Sequence, residues 1–70
     1  MADKLSKYIG RRLQELRKRK GLTQSIVAQR SGINTNYYAK LERGEAVPSV
    51  GKLEKILKVL GAKSSDVLPF

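Results

Sequence analysis

Three polar side chains that can hydrogen-bond to another molecule lie close together between Thr35 and Lys40. Asn36 and Lys40 are four residues apart, so they share one face of a helix, and Thr35 directly precedes Asn36. An asparagine amide can form two hydrogen bonds to adenine, a lysine ammonium can reach O6 and N7 of guanine, and a threonine offers a hydroxyl and a methyl group. These side chains are therefore suited to reading the edges of base pairs.

The sequence contains no comparable set of residues for covalent catalysis. The 70 residues contain no histidine and no cysteine, and the six acidic residues form no paired constellation at helical spacing. The usual general base, the commonest metal ligand and any thiolate are thus missing. The sequence therefore predicts no enzymatic activity, no metal site, no cofactor and no disulfide framework.

The segment from Gly21 to Gly44 predicts the elements that position the polar side chains. Thr23 and Asn34 are good N-cap residues, because a side-chain oxygen there accepts from free amides at the start of a helix. Between them, Gly32 allows a sharp turn through positive φ. A helix, a glycine-containing turn and a second helix form the helix-turn-helix of DNA-binding proteins. We place the motif at about residues 23–43, with helices from Gln24 to about Ser31 and from about Thr35 to Arg43.

Within the second of these helices, Tyr38 and Leu41 are three residues apart and share a face that we expect to be buried. Apolar stripes predict two further helices, one from Lys4 to about Lys20 and one from Val50 to Leu60 with Ser49 as a plausible N-cap. Their stripes consist of Leu5, Ile9, Leu13 and Leu16, and of Val50, Leu53, Ile56, Leu57 and Leu60.

Residues 1–3 are expected to be frayed, and the tail to form one short turn of helix that returns Val67 and Leu68 to the core. We therefore predict a single all-α domain of four to five short helices over residues 1–70.

Positive charge dominates the composition. Lysine and arginine number 15 against six acidic residues, which gives a formal charge of +9 and a pI near 10.3. A domain this basic favours a polyanionic partner. No apolar run approaches the roughly 18 residues of a membrane span, and no signal-peptide pattern is visible. We expect a cytoplasmic protein.

Two short motifs, GLTQ at 21–24 and LERG at 41–44, occur at a specific spacing and are followed by Pro48-Ser49 and an apolar tail. Together they make the sequence resemble the phage repressor/Cro-type (Xre-like) helix-turn-helix domains over nearly its whole length. The resemblance implies a lambda-repressor-like DNA-binding domain. It also implies an ion pair between Arg17 and Glu42 that joins the first and third helices.

The resemblance implies roles in DNA contact as well. Positions matching Thr35, Asn36 and Lys40 contact bases, and the position of Tyr37 either meets DNA or covers the helix surface. Thr23, Gln24 and Arg43 match phosphate-contacting positions, and the glutamine also braces the recognition helix. From the basic side of the first helix we add Arg12 as a phosphate contact. Glu45, next to Arg43, is expected to point away.

The sequence thus predicts a sequence-specific transcriptional regulator that binds double-stranded DNA. We expect a homodimer on a pseudo-palindromic operator, with Val67, Leu68 and Phe70 as the candidate interface. Two alternatives stay open: the antitoxin of a toxin–antitoxin pair, whose primary partner is a protein, and a restriction–modification controller. The first helix alone would also permit a basic amphipathic protein at a membrane surface, but the helix-turn-helix signals favour DNA and no membrane partner.

Overall fold

The protein is all-α, as the sequence predicts. A computed structural model describes residues 3–70. Four α-helices follow one another, and a short 3₁₀ turn closes the chain. They are α1 (Lys4–Arg19), α2 (Gln24–Ser31), α3 (Thr35–Glu42), α4 (Val50–Leu60) and the 3₁₀ turn Ser64–Asp66. None of the helices in the described part is long and apolar enough to cross a membrane.

A side chain caps the start of every α-helix. The oxygens of Thr23, Asn34 and Ser49 accept hydrogen bonds from amides in the first turns of α2, α3 and α4, as their residue types predict. Asp3 does the same for α1, with 2.7 Å between its carboxylate and the amide of Ser6. The expectation of fraying is therefore wrong for Asp3, because the carboxylate has an amide to bind. Met1 and Ala2, the rest of that segment, lie outside the described residues.

One hydrophobic core holds the helices together. It consists of Ile9, Leu13, Val27, Ala28, Tyr38, Leu41, Ile56, Leu57, Leu60 and Val67. Leu5 and Val50 were expected in the apolar stripes but are 36% and 87% exposed. For α1 the reason is geometric. Its buried face includes Ser6 and Gly10, and at 3.6 residues per turn the centre of that face lies about a quarter turn from Leu5.

Gly10 lets the backbone of α1 pack directly against the backbone at the end of α3. A Cβ atom added at Gly10 would lie 2.6 Å from the carbonyl oxygen of Glu42 and closer still to that of Leu41. Any larger residue would therefore push the two helices apart. The contact sets the position of α3 relative to α1.

Candidate nucleic-acid interface

A left-handed glycine makes the turn between α2 and α3. Gly32 has a φ of 71° and ends α2, and the amide of Ile33 donates to the carbonyl of Ala28 across 2.9 Å. Ile33 packs against the core, and Asn34 starts α3 immediately afterwards, with 2.7 Å between its side-chain oxygen and the amide of Asn36. The turn therefore occupies only three residues, which gives the two helices a defined relative orientation.

The two faces of α3 differ in the way a recognition helix requires. Tyr38 and Leu41 are fully buried on the inner face. Thr35, Asn36 and Lys40 are exposed. All three predicted base-reading side chains are therefore exposed to solvent, where their hydrogen-bonding groups are available to a ligand, and base contact by them stays a prediction.

Tyr37 lies between these faces and is half-buried. Its ring packs against the core, and the ammonium nitrogen of Lys52 lies 4.6 Å from the ring centroid. Sequence reasoning did not single out Lys52 as a neighbour of α3, because no periodicity within α4 reports which residue of another helix it meets.

A buried polar cluster fixes the inner side of α3 to α1 and α2. The guanidinium of Arg17 donates from Nε to Glu42 Oε2 across 2.7 Å and from Nη2 to Oε1 across 3.1 Å. The amide Nε2 of Gln24 donates to the same Oε1 across 2.9 Å. The side chain of Glu42 is only 1% exposed and that of Arg17 is 12% exposed. The pair therefore lies largely out of water, where an unpaired charge would be costly.

Titration behaviour follows from this cluster. Burial alone would raise the pKa of Glu42, but the hydrogen bonds from Arg17 and Gln24 outweigh burial and lower it. The hydrogen bond to Glu42 likewise raises the pKa of Arg17. Burial, reinforced by the Glu42 carboxylate, raises the pKa of the Tyr38 hydroxyl far above its ordinary value, although no hydrogen bond of good geometry joins that hydroxyl to any of residues 3–70. At neutral pH the cluster thus contains one carboxylate, one guanidinium and a neutral phenol.

The predicted phosphate contacts at the start of α2 differ in their freedom to reach DNA. Thr23 is exposed, and its hydroxyl oxygen accepts from the amide of Ile26 across 3.1 Å, which leaves the hydroxyl proton to donate to a phosphate. Gln24 is half-buried and its amide nitrogen is committed to Glu42. The bracing contact of Gln24 is therefore present, and its contact with phosphate stays a prediction.

Arg43 and Arg12 are both engaged within the protein. Arg43 Nε lies 2.8 Å from Glu45 Oε2, and both side chains are about half exposed. The expectation that Glu45 points away is wrong, because its carboxylate binds the guanidinium two residues earlier. Arg12 donates to the carbonyl of Asp66 across 2.8 Å and pairs with Glu15. A phosphate contact by either arginine stays a prediction and would compete with these partners.

The C-terminal end presents an apolar groove rather than a flat patch. A groove of about 340 Å³ lies between α4 and the residues after it, and its lining includes Val50, Leu53, Leu57 and Leu68. Phe70 is 84% exposed, whereas Val67 is fully buried. Val67 is therefore excluded as an interface residue, because its side chain completes the core of the single chain.

The described residues offer no comparable site for a metal ion. Residues 3–70 contain no group of three or more acidic side chains arranged to hold a metal ion.

Comparison with known proteins agrees with this geometry. A family model described as a helix-turn-helix domain matches residues 9–69. An uncharacterized HTH-type transcriptional regulator, y4dJ of Sinorhizobium fredii, is 36% identical over 64 residues, which is 91% of this chain and 83% of that protein. Some other curated relatives are longer: the chain spans 31% of the regulator PuuR of Escherichia coli and 55% of the regulator SinR of Bacillus subtilis.

Solved structures resemble the whole fold. The clp gene regulator ClgR of Corynebacterium glutamicum has a TM-score of 0.90 and 32% identity, with 99% of this chain and 88% of that chain covered. The restriction–modification controller protein C.AhdI of Aeromonas hydrophila has a TM-score of 0.86 and 32% identity, with 90% and 96% covered. This chain belongs to the Xre/Cro-like family of helix-turn-helix domains.

Proposed function

We propose that this protein binds double-stranded DNA sequence-specifically and regulates transcription by occupying an operator. The observation that carries the proposal is the division of α3. Tyr38, Leu41 and Glu42 lock its inner face, and Asn36 and Lys40 stand exposed on its outer face. An α-helix of this kind fits the major groove, where each base pair presents a distinct pattern of donors and acceptors.

Charge supports the same partner. The formal charge of +9 attracts the phosphate backbone without regard to sequence, and the side chains on α3 supply the discrimination. The regulators to which the chain is similar are named for transcriptional control. A regulator of this kind works in the compartment that holds the DNA, which for a bacterial or phage protein is the cytoplasm.

Selection of binding sites from a random duplex library, repeated at two salt concentrations, tests the proposal. An enriched inverted repeat whose preference survives at the higher salt supports a dimeric sequence reader. Binding that enriches no sequence and disappears with salt would mean that the charge acts generically. In that case the protein partner of an antitoxin would become the leading alternative.

We further propose that the protein acts as a homodimer through the apolar groove of α4. Val50 lines the groove and is 87% exposed. Phe70, two residues after the lining residue Leu68, is 84% exposed. Exposed large apolar side chains beside an apolar groove mark an association surface. Val50→Glu and Phe70→Glu should dissociate the dimer in sedimentation experiments. Val47→Glu, at a residue 57% exposed but outside the groove lining, is the matched control for Val50→Glu and should leave the dimer intact.

A restriction–modification controller is a second candidate, favoured by the similarity to C.AhdI along 96% of that protein. The two candidates share the same DNA-binding surface and differ only in the genes controlled. Mapping the selected operator to its genomic neighbours distinguishes them. An operator beside a methyltransferase or endonuclease gene would favour the controller, and one beside a toxin gene would favour the antitoxin.

A further inference from the structure

A lysine from α4 lies against the recognition helix. The ammonium nitrogen of Lys52, in the first turn of α4, is 4.6 Å from the centroid of the Tyr37 ring. The face of an aromatic ring carries negative electrostatic potential and attracts a cation at this distance. Because the chain carries a net charge of +9, the other cations repel this ammonium, and the ring supplies a local attraction that restricts its otherwise flexible side chain.

The position of Tyr37 on α3 determines where this charge is held. Tyr37 and Lys40 are three residues apart, so they lie about 60° apart around a helix of 3.6 residues per turn. Tyr37 is half-buried and Lys40 is exposed. The ring therefore occupies the flank between the buried and the outer faces, and Lys52 extends the positive surface of α3 sideways beyond the helix itself.

Charge beside a recognition helix meets the backbone rather than the bases. The major groove is about 12 Å wide and admits one helix, so its floor is read by the outer face of that helix and its walls are the two phosphate strands. A lysine ammonium binds phosphate as a point charge and needs no exact orientation. Lys52 is exposed, and none of the ion pairs within residues 3–70 includes it.

We propose that Lys52 contacts a phosphate of the operator and that Tyr37 is the positioning residue that holds its ammonium beside the groove. Tyr37 then acts through Lys52 and reads no base. This inference rests on the proposed function and adds a DNA contact from α4, outside the helix-turn-helix.

Salt dependence of operator binding tests the role of Lys52. Lys52→Gln should make the slope of log affinity against log salt shallower by about 0.9 and should weaken operator and non-operator DNA alike. The advantage of the unmodified protein over the variant should then shrink by roughly 3.5-fold for a fourfold rise in salt. Lys55→Gln, the same charge change at an exposed residue one turn along α4, is the matched control and should leave the slope unchanged.

Variants of Tyr37 test the positioning role. Tyr37→Phe keeps the ring face and should keep the slope and the base preferences of the unmodified protein. Tyr37→Leu keeps an apolar contact with the core but removes the ring, and should reproduce the shallower slope of Lys52→Gln. Combining Tyr37→Leu with Lys52→Gln should cost little beyond either single change, because both remove one interaction. Thermal melts of each variant confirm that the fold is intact.

The outcomes separate this inference from the proposed function. If the unmodified protein shows no operator preference, both are overturned. If it prefers its operator but Lys52→Gln and Lys55→Gln have equal slopes, the phosphate contact is overturned and the proposed function stands. If Tyr37→Phe relaxes the preference at one base pair, Tyr37 reads a base directly and the positioning role is wrong.

Discussion

Arg17 and Glu42, which are 25 positions apart in the sequence, join α1 to the end of α3 through hydrogen bonds of 2.7 and 3.1 Å. Gln24 from α2 donates to the same carboxylate. One buried acid therefore ties together the two helices of the motif and the helix that supports them. Loss of this pair should therefore destabilise the fold and, through it, the orientation of the recognition helix.

Removing Arg17 should destabilise the fold, and it should weaken DNA binding only as a consequence of that destabilisation. Arg17→Ala leaves the carboxylate of Glu42 buried without its cation, which costs roughly 3–5 kcal/mol of the free energy of unfolding. Chemical denaturation measures the loss. Arg11→Ala, at an exposed position on the same helix, should change the free energy by no more than about 0.5 kcal/mol. An unchanged midpoint for Arg17→Ala would show that the pair does not contribute to stability.

Stability should fall in acid, and Glu42 should account for part of the fall. Its pKa in the folded state is below the ordinary value of 4.5, so the unfolded chain binds more protons below that pH. The contribution is fully present above about pH 4.5 and is lost as the pH falls through the folded-state pKa. Denaturation midpoints should therefore decrease across that window.

Glu42→Gln isolates this contribution. The variant keeps the shape of the side chain but cannot ionise, so it should be less stable at neutral pH and should lose less stability on acidification. Asp3 and Glu45 also have lowered pKa values, from the Ser6 amide and from Arg43, and should supply the acid dependence that remains. An identical pH profile for Glu42→Gln would contradict the assignment.

Gly10 and Gly51 should respond in opposite directions to the same substitution. Gly10→Ala forces a Cβ against the carbonyls of Leu41 and Glu42, and the displaced backbone should cost at least about 1 kcal/mol of stability. Gly51→Ala meets no atom within 4 Å and should stabilise α4 by up to about 1 kcal/mol. Melting temperatures of the two variants provide the comparison. Equal effects would mean that the approach of α1 to α3 has no energetic consequence.

Asn36→Ala should relax specificity at one base pair of the operator and leave the others unchanged. A bidentate contact between asparagine and adenine gives about 1–3 kcal/mol of discrimination, and Asn36 is exposed on the outer face of α3. Affinities for single-base operator variants measure the effect. Equal weakening for every sequence would identify Asn36 as a phosphate contact instead.

Local patterns in the sequence predict much of this fold. Caps at Thr23, Asn34 and Ser49 give the starts of three helices to the residue, because capping depends only on neighbouring amides. The spacing of Tyr38 and Leu41 correctly predicts the buried face of α3, since periodicity reports which side of a helix is apolar.

Relations between elements are harder to predict. Gly10 faces the end of α3 because the close approach of the two backbones leaves no room for a side chain, and the apolar stripe of α1 does not reveal this contact. The contacts of Arg12 with Asp66 and of Lys52 with Tyr37 likewise depend on how helices lie against one another. Only the resemblance to a family predicts the Arg17–Glu42 pair, because no spacing rule links residues in separate helices.

The ratio of affinities for the selected operator and for a shuffled duplex of equal length, measured at several salt concentrations, tests the central claim most directly. If the outer face of α3 reads base pairs, the ratio should reach about 10³ or more and should persist as salt weakens both affinities. A ratio near one at every salt concentration would contradict sequence reading by this helix.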